Sequence, residues 1–131
     1  MSAERRIAAF LTLADEELHA AKMLAGGAPR QAACYIQQAA EKAARALLTA
    51  GGIPFGIGHN LGLIASALPS GHPLKQRVAA LDRHSGAATF YRYPSPAGRL
   101  PPSPDAATLN ADILDLEAFI AEVRAFLGTD A

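Results

Sequence analysis

The sequence has no tryptophan, only three tyrosines and five phenylalanines, and a single cysteine, Cys34. A lone thiol excludes an internal disulfide and suits a reducing, cytoplasmic setting. No apolar run approaches the roughly 18 residues of a membrane span. No basic segment followed by an apolar run opens the chain, so no signal peptide is expected. Neither charge is in excess: 12 basic and 12 acidic residues give a formal net charge of zero. That balance argues against holding nucleic acid by broad electrostatic attraction, which needs a basic surface, but leaves room for a local basic patch. It also lowers self-repulsion on association. Internal repeats, long charge blocks, a His or Cys cluster at metal-ligand spacing and a strand-to-helix glycine-rich phosphate loop are all missing. Neither a metal nor a cofactor is therefore expected.

What is present is alanine and helical periodicity. Half of the 131 residues are hydrophobic, enough for one domain over 1–131. Much of that half is alanine, so the core should rest on close helix contacts rather than bulky side chains. A first helix is expected from about Ala3 to Ala25, capped by Ser2 and ended by Gly26-Gly27. Ile7, Phe10, Leu11, Ala14, Leu18, Ala21 and Leu24 form its apolar face. A second starts at Pro29 and stops at Gly51-Gly52. It carries two adjacent stripes, Ile36, Ala40, Ala44 and Leu47 beside Ala32, Ala39, Ala43, Ala46 and Ala50. Together they cover more than a third of the circumference, so this helix is central or faces two surfaces.

Ile53 to Gly58 reads as a loop, and Asn60 caps a short helix from Leu61 to about Leu68. Pro73 opens another helix, with Leu74, Val78, Leu81, Ser85 and Ala88 along one side, running to Tyr93-Pro94. Four prolines and a glycine make Ser95 to Pro104 a stiff, exposed loop. Asp105 caps a last helix to about Leu127, with Leu109, Ile113, Leu116, Ile120, Val123 and Leu127 as its seam and Phe119 and Phe126 thickening it. No segment alternates with strand period. The fold class expected is all-α, an antiparallel up-down four-helix bundle with an extra short helix.

The second helix reads Tyr35-Ile36-Gln37-Gln38-Ala39-Ala40-Glu41-Lys42-Ala43-Ala44-Arg45-Ala46-Leu47-Leu48, which closely resembles the "QQAAEKALKALL" helix of the HEPN family. Gly58-His59-Asn60-Leu61 resembles the family's "THDL" segment, and Tyr91-Arg92-Tyr93-Pro94 its "ARYP" segment, in the same order. The resemblance covers nearly the whole chain. It implies a bundle of four main helices and a homodimer, often encoded beside a minimal nucleotidyltransferase in a toxin–antitoxin or regulatory module.

Candidate residues follow. Tyr35, Ala39, Ala43 and Ala46 form either an inter-subunit face or a close-packing face within one bundle. Active HEPN ribonucleases use an arginine, four to six residues, then a histidine. Attack of an RNA 2′-hydroxyl wants a near-neutral base and a fixed cation on the phosphate. Arg77 and His84 satisfy that count; otherwise they are flanking residues with polar tips in water. The family pattern places the motif nearer the tyrosine-bearing helix end, where Arg92 is followed by no histidine. His59 is either a cap or a ligand-binding residue acting with Gln38, Glu41 and Lys42 and with Arg92. His72 reads as a turn residue. Glu16, Glu17, Asp112 and Asp115 read as solvated helix faces. The function expected is an interaction protein, homodimeric and paired with a nucleotidyltransferase, with a nucleotide or RNA as a further ligand. The alternative is a metal-independent endoribonuclease using Arg77 and His84.

Overall fold

Helix ends are set by side chains that satisfy the orphan backbone groups of a first or last turn. The computed structural model, which describes residues 2–56 and 60–128, shows this at two of the three long helices that the spacing predicts. Helix α1 (Ala3–Leu24) begins where the Ser2 hydroxyl accepts the Arg5 amide, and α6 (Ala106–Leu127) where the Asp105 carboxylate accepts that of Thr108. Gly128 ends α6 at φ 73°, in the left-handed region where glycine is favoured. Helix α2 (Pro29–Ala50) starts on Pro29 with no side-chain cap. No strand occurs among the described residues.

The other two long helices, α1 and α6, pack on α2, which is buried over most of its length. Ala39, Ala40, Ala43, Ala44 and Ala46 are all 0% exposed. Side chains this small let α1 lie close along α2. Phe119, Leu116 and Val123 of α6 fill the other side, each larger side chain contributing about 1.5–3 kcal/mol by burial. Ion pairs fix direction. Asp15 meets Arg124 and Lys22 meets Glu117, so α1 and α6 run antiparallel.

The helix expected from Pro73 to Tyr93 is broken. In its place stand α4 (Lys75–Ala80), a 3₁₀ segment (Leu81–His84) and α5 (Ala87–Phe90), preceded by α3 (Leu61–Ala67). Long-range hydrogen bonds give the reason. The Asp82 carboxylate accepts the Gly62 amide at 2.8 Å, and the Ser85 hydroxyl accepts the Leu61 amide at 2.8 Å while donating to Asp82. Tightening the chain at 81–84 aims both groups at the N-terminus of α3, which Asn60 also caps. Gly62 sits so close to Asp82 that an added Cβ would lie 3.1 Å from its carboxylate. Ser85 is thus a capping group, not part of an apolar side; the Ala88 side chain lies outside the described residues. Val78 and Leu81 do reach the core.

Three acidic readings also change. Glu17 is buried and receives Lys42 at 2.9 Å. Asp112 and Asp115 bind arginines of the short-helix run, as described below. Glu16 is solvated, as its pattern suggests. The turn reading of His72 holds: its Nδ1 accepts the Leu74 amide and its ring lies 4.7 Å from that of Phe126.

Candidate functional site around Tyr91

Tyr91 follows α5 and lines two neighbouring clefts, one holding a histidine and one holding two arginines.

The first cleft, about 430 Å³, is lined by His84, Phe90, Tyr91, Thr108, Asp112 and the apolar faces of α2 and α6. His84 is only 8% exposed, and its Nε2 is buried without a hydrogen-bond partner. Burial first, and then the adjacent Arg83 cation, hold the imidazole below its ordinary pKa, against the pull of Asp112 and Asp115. It is therefore neutral near pH 7, with Nε2 buried and unpaired at the edge of the cleft.

Arg77 does not join it. Its Nε lies 3.2 Å from Glu122, its Nη2 2.9 Å from the Asp115 carboxylate and 3.0 Å from the Asp115 carbonyl oxygen. The guanidinium also lies 5.5 Å from the Phe119 ring centroid. Asp115 is held below the usual carboxylate range, chiefly by its hydrogen bond from Arg77 and secondly by Arg83. Arg77 is absent from the residues lining the histidine cleft. A seven-residue spacing aligns two side chains on a continuous α-helix, but 3₁₀ residues advance about 120° each, and the register is lost. Arg83, beside His84, is itself paired with Asp112 and Asp115 at 3.4 and 3.0 Å.

The second cleft, about 440 Å³, is lined by Arg30, Gln31, Cys34, Tyr35, Gln38, Tyr91 and Arg92. It brings together Tyr35, Gln38 and Arg92 of the residues singled out from the sequence. Glu41 and Lys42 do not line it. Glu41 is buried and holds Arg45 at 2.9 Å, and Lys42 is taken by Glu17. His59 lies outside the described residues. Ala39, Ala43 and Ala46 are enclosed within the single chain, which is the close-packing alternative for that stripe. Cys34 donates its thiol to the Ala87 carbonyl, and burial pushes its pKa up despite the nearby Arg92 cation, so it is no nucleophile.

Arg30 is the residue that sequence reasoning passed over. Its Nη2 donates to the Pro101 carbonyl oxygen at 2.8 Å, and its Nε is buried without a partner. A cation in the first turn of a helix opposes the macrodipole, and that anomaly beside Pro29 was the available signal. Among the described residues, no group of three or more His, Cys, Asp or Glu side chains could hold a metal ion. No described helix is long and apolar enough to cross a membrane.

Neither a curated protein nor a solved structure matches the chain. A family model does: that of the HEPN domain, over residues 7–128. The match takes in α1 from Ile7 onward, α2, α6, the short-helix run and both clefts, and this chain belongs to the HEPN domain family.

Proposed function

We propose that this chain is a non-catalytic interaction protein, a cytoplasmic homodimer that pairs with a separately encoded minimal nucleotidyltransferase in a toxin–antitoxin or regulatory module. The observation that carries this reading is the state of Arg77. Its guanidinium is committed to Asp115 and Glu122 and is not among the groups around His84. An arginine bound to two carboxylates is a poor cation for a scissile phosphate, because the phosphate must displace both.

Helix α6 supports the dimer. Its inner face is buried, yet Leu114 on the outside is 66% exposed. Exposed alanines 107, 111, 118, 121 and 125 extend from Leu114 in steps of four and three. A helix apolar on both sides is normally covered on both. This uncharged strip suits a second copy of itself, since a two-fold axis sets the same patch on both subunits. Sedimentation tests the dimer, and co-purification with a co-expressed minimal nucleotidyltransferase tests the pairing. Recovery of the chain alone, with such a protein co-expressed, would remove the pairing.

The ribonuclease remains the second reading, favoured by the unpartnered Nε2 of His84, a residue that lines a cleft. Incubation with RNA in chelator, beside Arg77→Ala and His84→Ala, decides it. Equal background from all three proteins ends that reading; loss in both variants establishes it.

A further inference from the structure

We propose that Arg30 and Arg92 form a binding site for a phosphate group, and that its occupant takes Arg30 away from Pro101 and so frees the proline-rich strap. The inference stands on the second cleft alone and does not depend on the dimer or on the nucleotidyltransferase.

Arg30 and Arg92 line one cleft with no carboxylate between them. Lys22, Lys42, Arg45, Arg77, Arg83 and Arg124 each have a carboxylate within 4 Å. Among the described residues Arg30 and Arg92 have none, and no carboxylate lines the cleft they share. The cleft opens beside the first turns of α2, a 22-residue helix whose N-terminus has no side-chain cap and no acidic residue in its first turn. Its dipole therefore adds to the positive potential rather than being neutralised. Around the arginines stand the phenols of Tyr35 and Tyr91 and the amides of Gln31 and Gln38. Hydroxyl and amide donors of this kind suit the remaining oxygens of a phosphate.

The geometry of Arg30 ties the site to the strap. The Nε–H of a guanidinium and one Nη2–H point the same way and together fit two oxygens of a phosphate. In Arg30 the Nε has no acceptor, and Nη2 is held by one neutral carbonyl, that of Pro101. Half of the fork is idle and the other half is weakly used. A phosphate engaging both competes with Pro101 for Nη2, and displaces it where Pro101 holds the hydrogen that lies parallel to Nε–H. Within the strap, the Ser95 amide donates to the Arg99 carbonyl oxygen and the Arg99 amide to the Ser95 hydroxyl. That local turn does not depend on Arg30, so the strap would leave as a preformed unit.

The test uses the full chain with inorganic phosphate and with a nucleoside monophosphate as separate arms. Two readouts are taken, the melting temperature and the rate of trypsin cleavage after Arg99. Either ligand should raise the melting temperature and speed the cleavage. Equal responses assign the site to the phosphate alone; a stronger nucleotide response adds the base. Arg30→Gln should cleave fast without ligand and respond to neither. Arg92→Gln, an exposed position that leaves the fold intact, should cleave slowly without ligand and bind about tenfold more weakly, as loss of a charge-assisted contact implies. Undiminished binding by Arg92→Gln would overturn the site. Normal binding by wild type with unchanged cleavage would overturn the release of the strap. Sedimentation of both variants is read separately, so neither failure bears on the dimer.

Discussion

Helices α2 and α6 are both 22 residues long and both rich in alanine, yet their alanines end in opposite environments. In α2, Ala39, Ala43 and Ala46 are wholly enclosed; in α6, Ala111, Ala118, Ala121 and Ala125 face outward. The difference comes from what surrounds each helix. Helix α2 is flanked by α1, α3, α5 and α6, and its small side chains are what permit that crowding. The large side chains of α6, Phe119 and Ile120 among them, take the inner face. Its alanines are left outside, where they suit a second copy. Alanine thus does two jobs, tight packing within a subunit and, on our reading, a smooth face between subunits.

The strongest way to break this contrast is to enlarge an alanine on each helix. Ala43→Leu should destabilise the chain by about 1–3 kcal/mol through overpacking. Its melting temperature should fall with no dependence on protein concentration. A variant as stable as wild type would put α2 at the surface.

Lys42→Ala sharpens the same point at the edge of the α2 packing. Glu17 is largely buried and relies on Lys42. Removing the cation leaves a largely buried carboxylate short of a partner, at a cost of about 1–2 kcal/mol. Gln38→Ala, on the same flank but lining the open cleft, should stay within about 0.5 kcal/mol. Urea unfolding of the two variants measures the gap, and equal losses would contradict the account of Glu17.

The packing of α6 against the short-helix run should show in the pH dependence. The unfolded chain protonates its histidines as pH falls through about 6.5, whereas burial keeps His84 neutral to lower pH. Its contribution is therefore present above that value and lost as the pH falls. His72 is shifted the same way, by burial and then by Lys75. Stability should drop between about pH 7 and pH 5, and His84→Gln should flatten part of that slope. An unchanged slope in His84→Gln would mean the imidazole is not held neutral. Smallest of all, Ala121→Leu on the outer face of α6 should leave the stability of the subunit within about 0.5 kcal/mol of wild type.

The ends of the long helices were legible because their signals are local. Ser2 and Asp105 cap the residues just after them, as Asn60 does for the short α3, and Gly128 ends α6. The break at 81–86 was not, because its cause lies about twenty residues away in sequence, where Asp82 and Ser85 meet the amides of Gly62 and Leu61. The same distance hid the roles of Asp112 and Asp115, which look solvated until Arg77 and Arg83 are folded against them. Of the candidate site, Tyr35, Gln38 and Arg92 came together. Arg77 and His84 did not, since their spacing has meaning only on an unbroken helix. Arg30 was missed because its partner is a backbone carbonyl, which no side-chain pattern announces.

The most direct test of the interaction-protein reading is sedimentation equilibrium of the wild-type chain beside Leu114→Glu. The account predicts that wild type sediments at twice its 13.6 kDa chain mass, while Leu114→Glu, with unchanged helix content, sediments at the mass of one chain. A wild-type species at 13.6 kDa at micromolar concentration would contradict it.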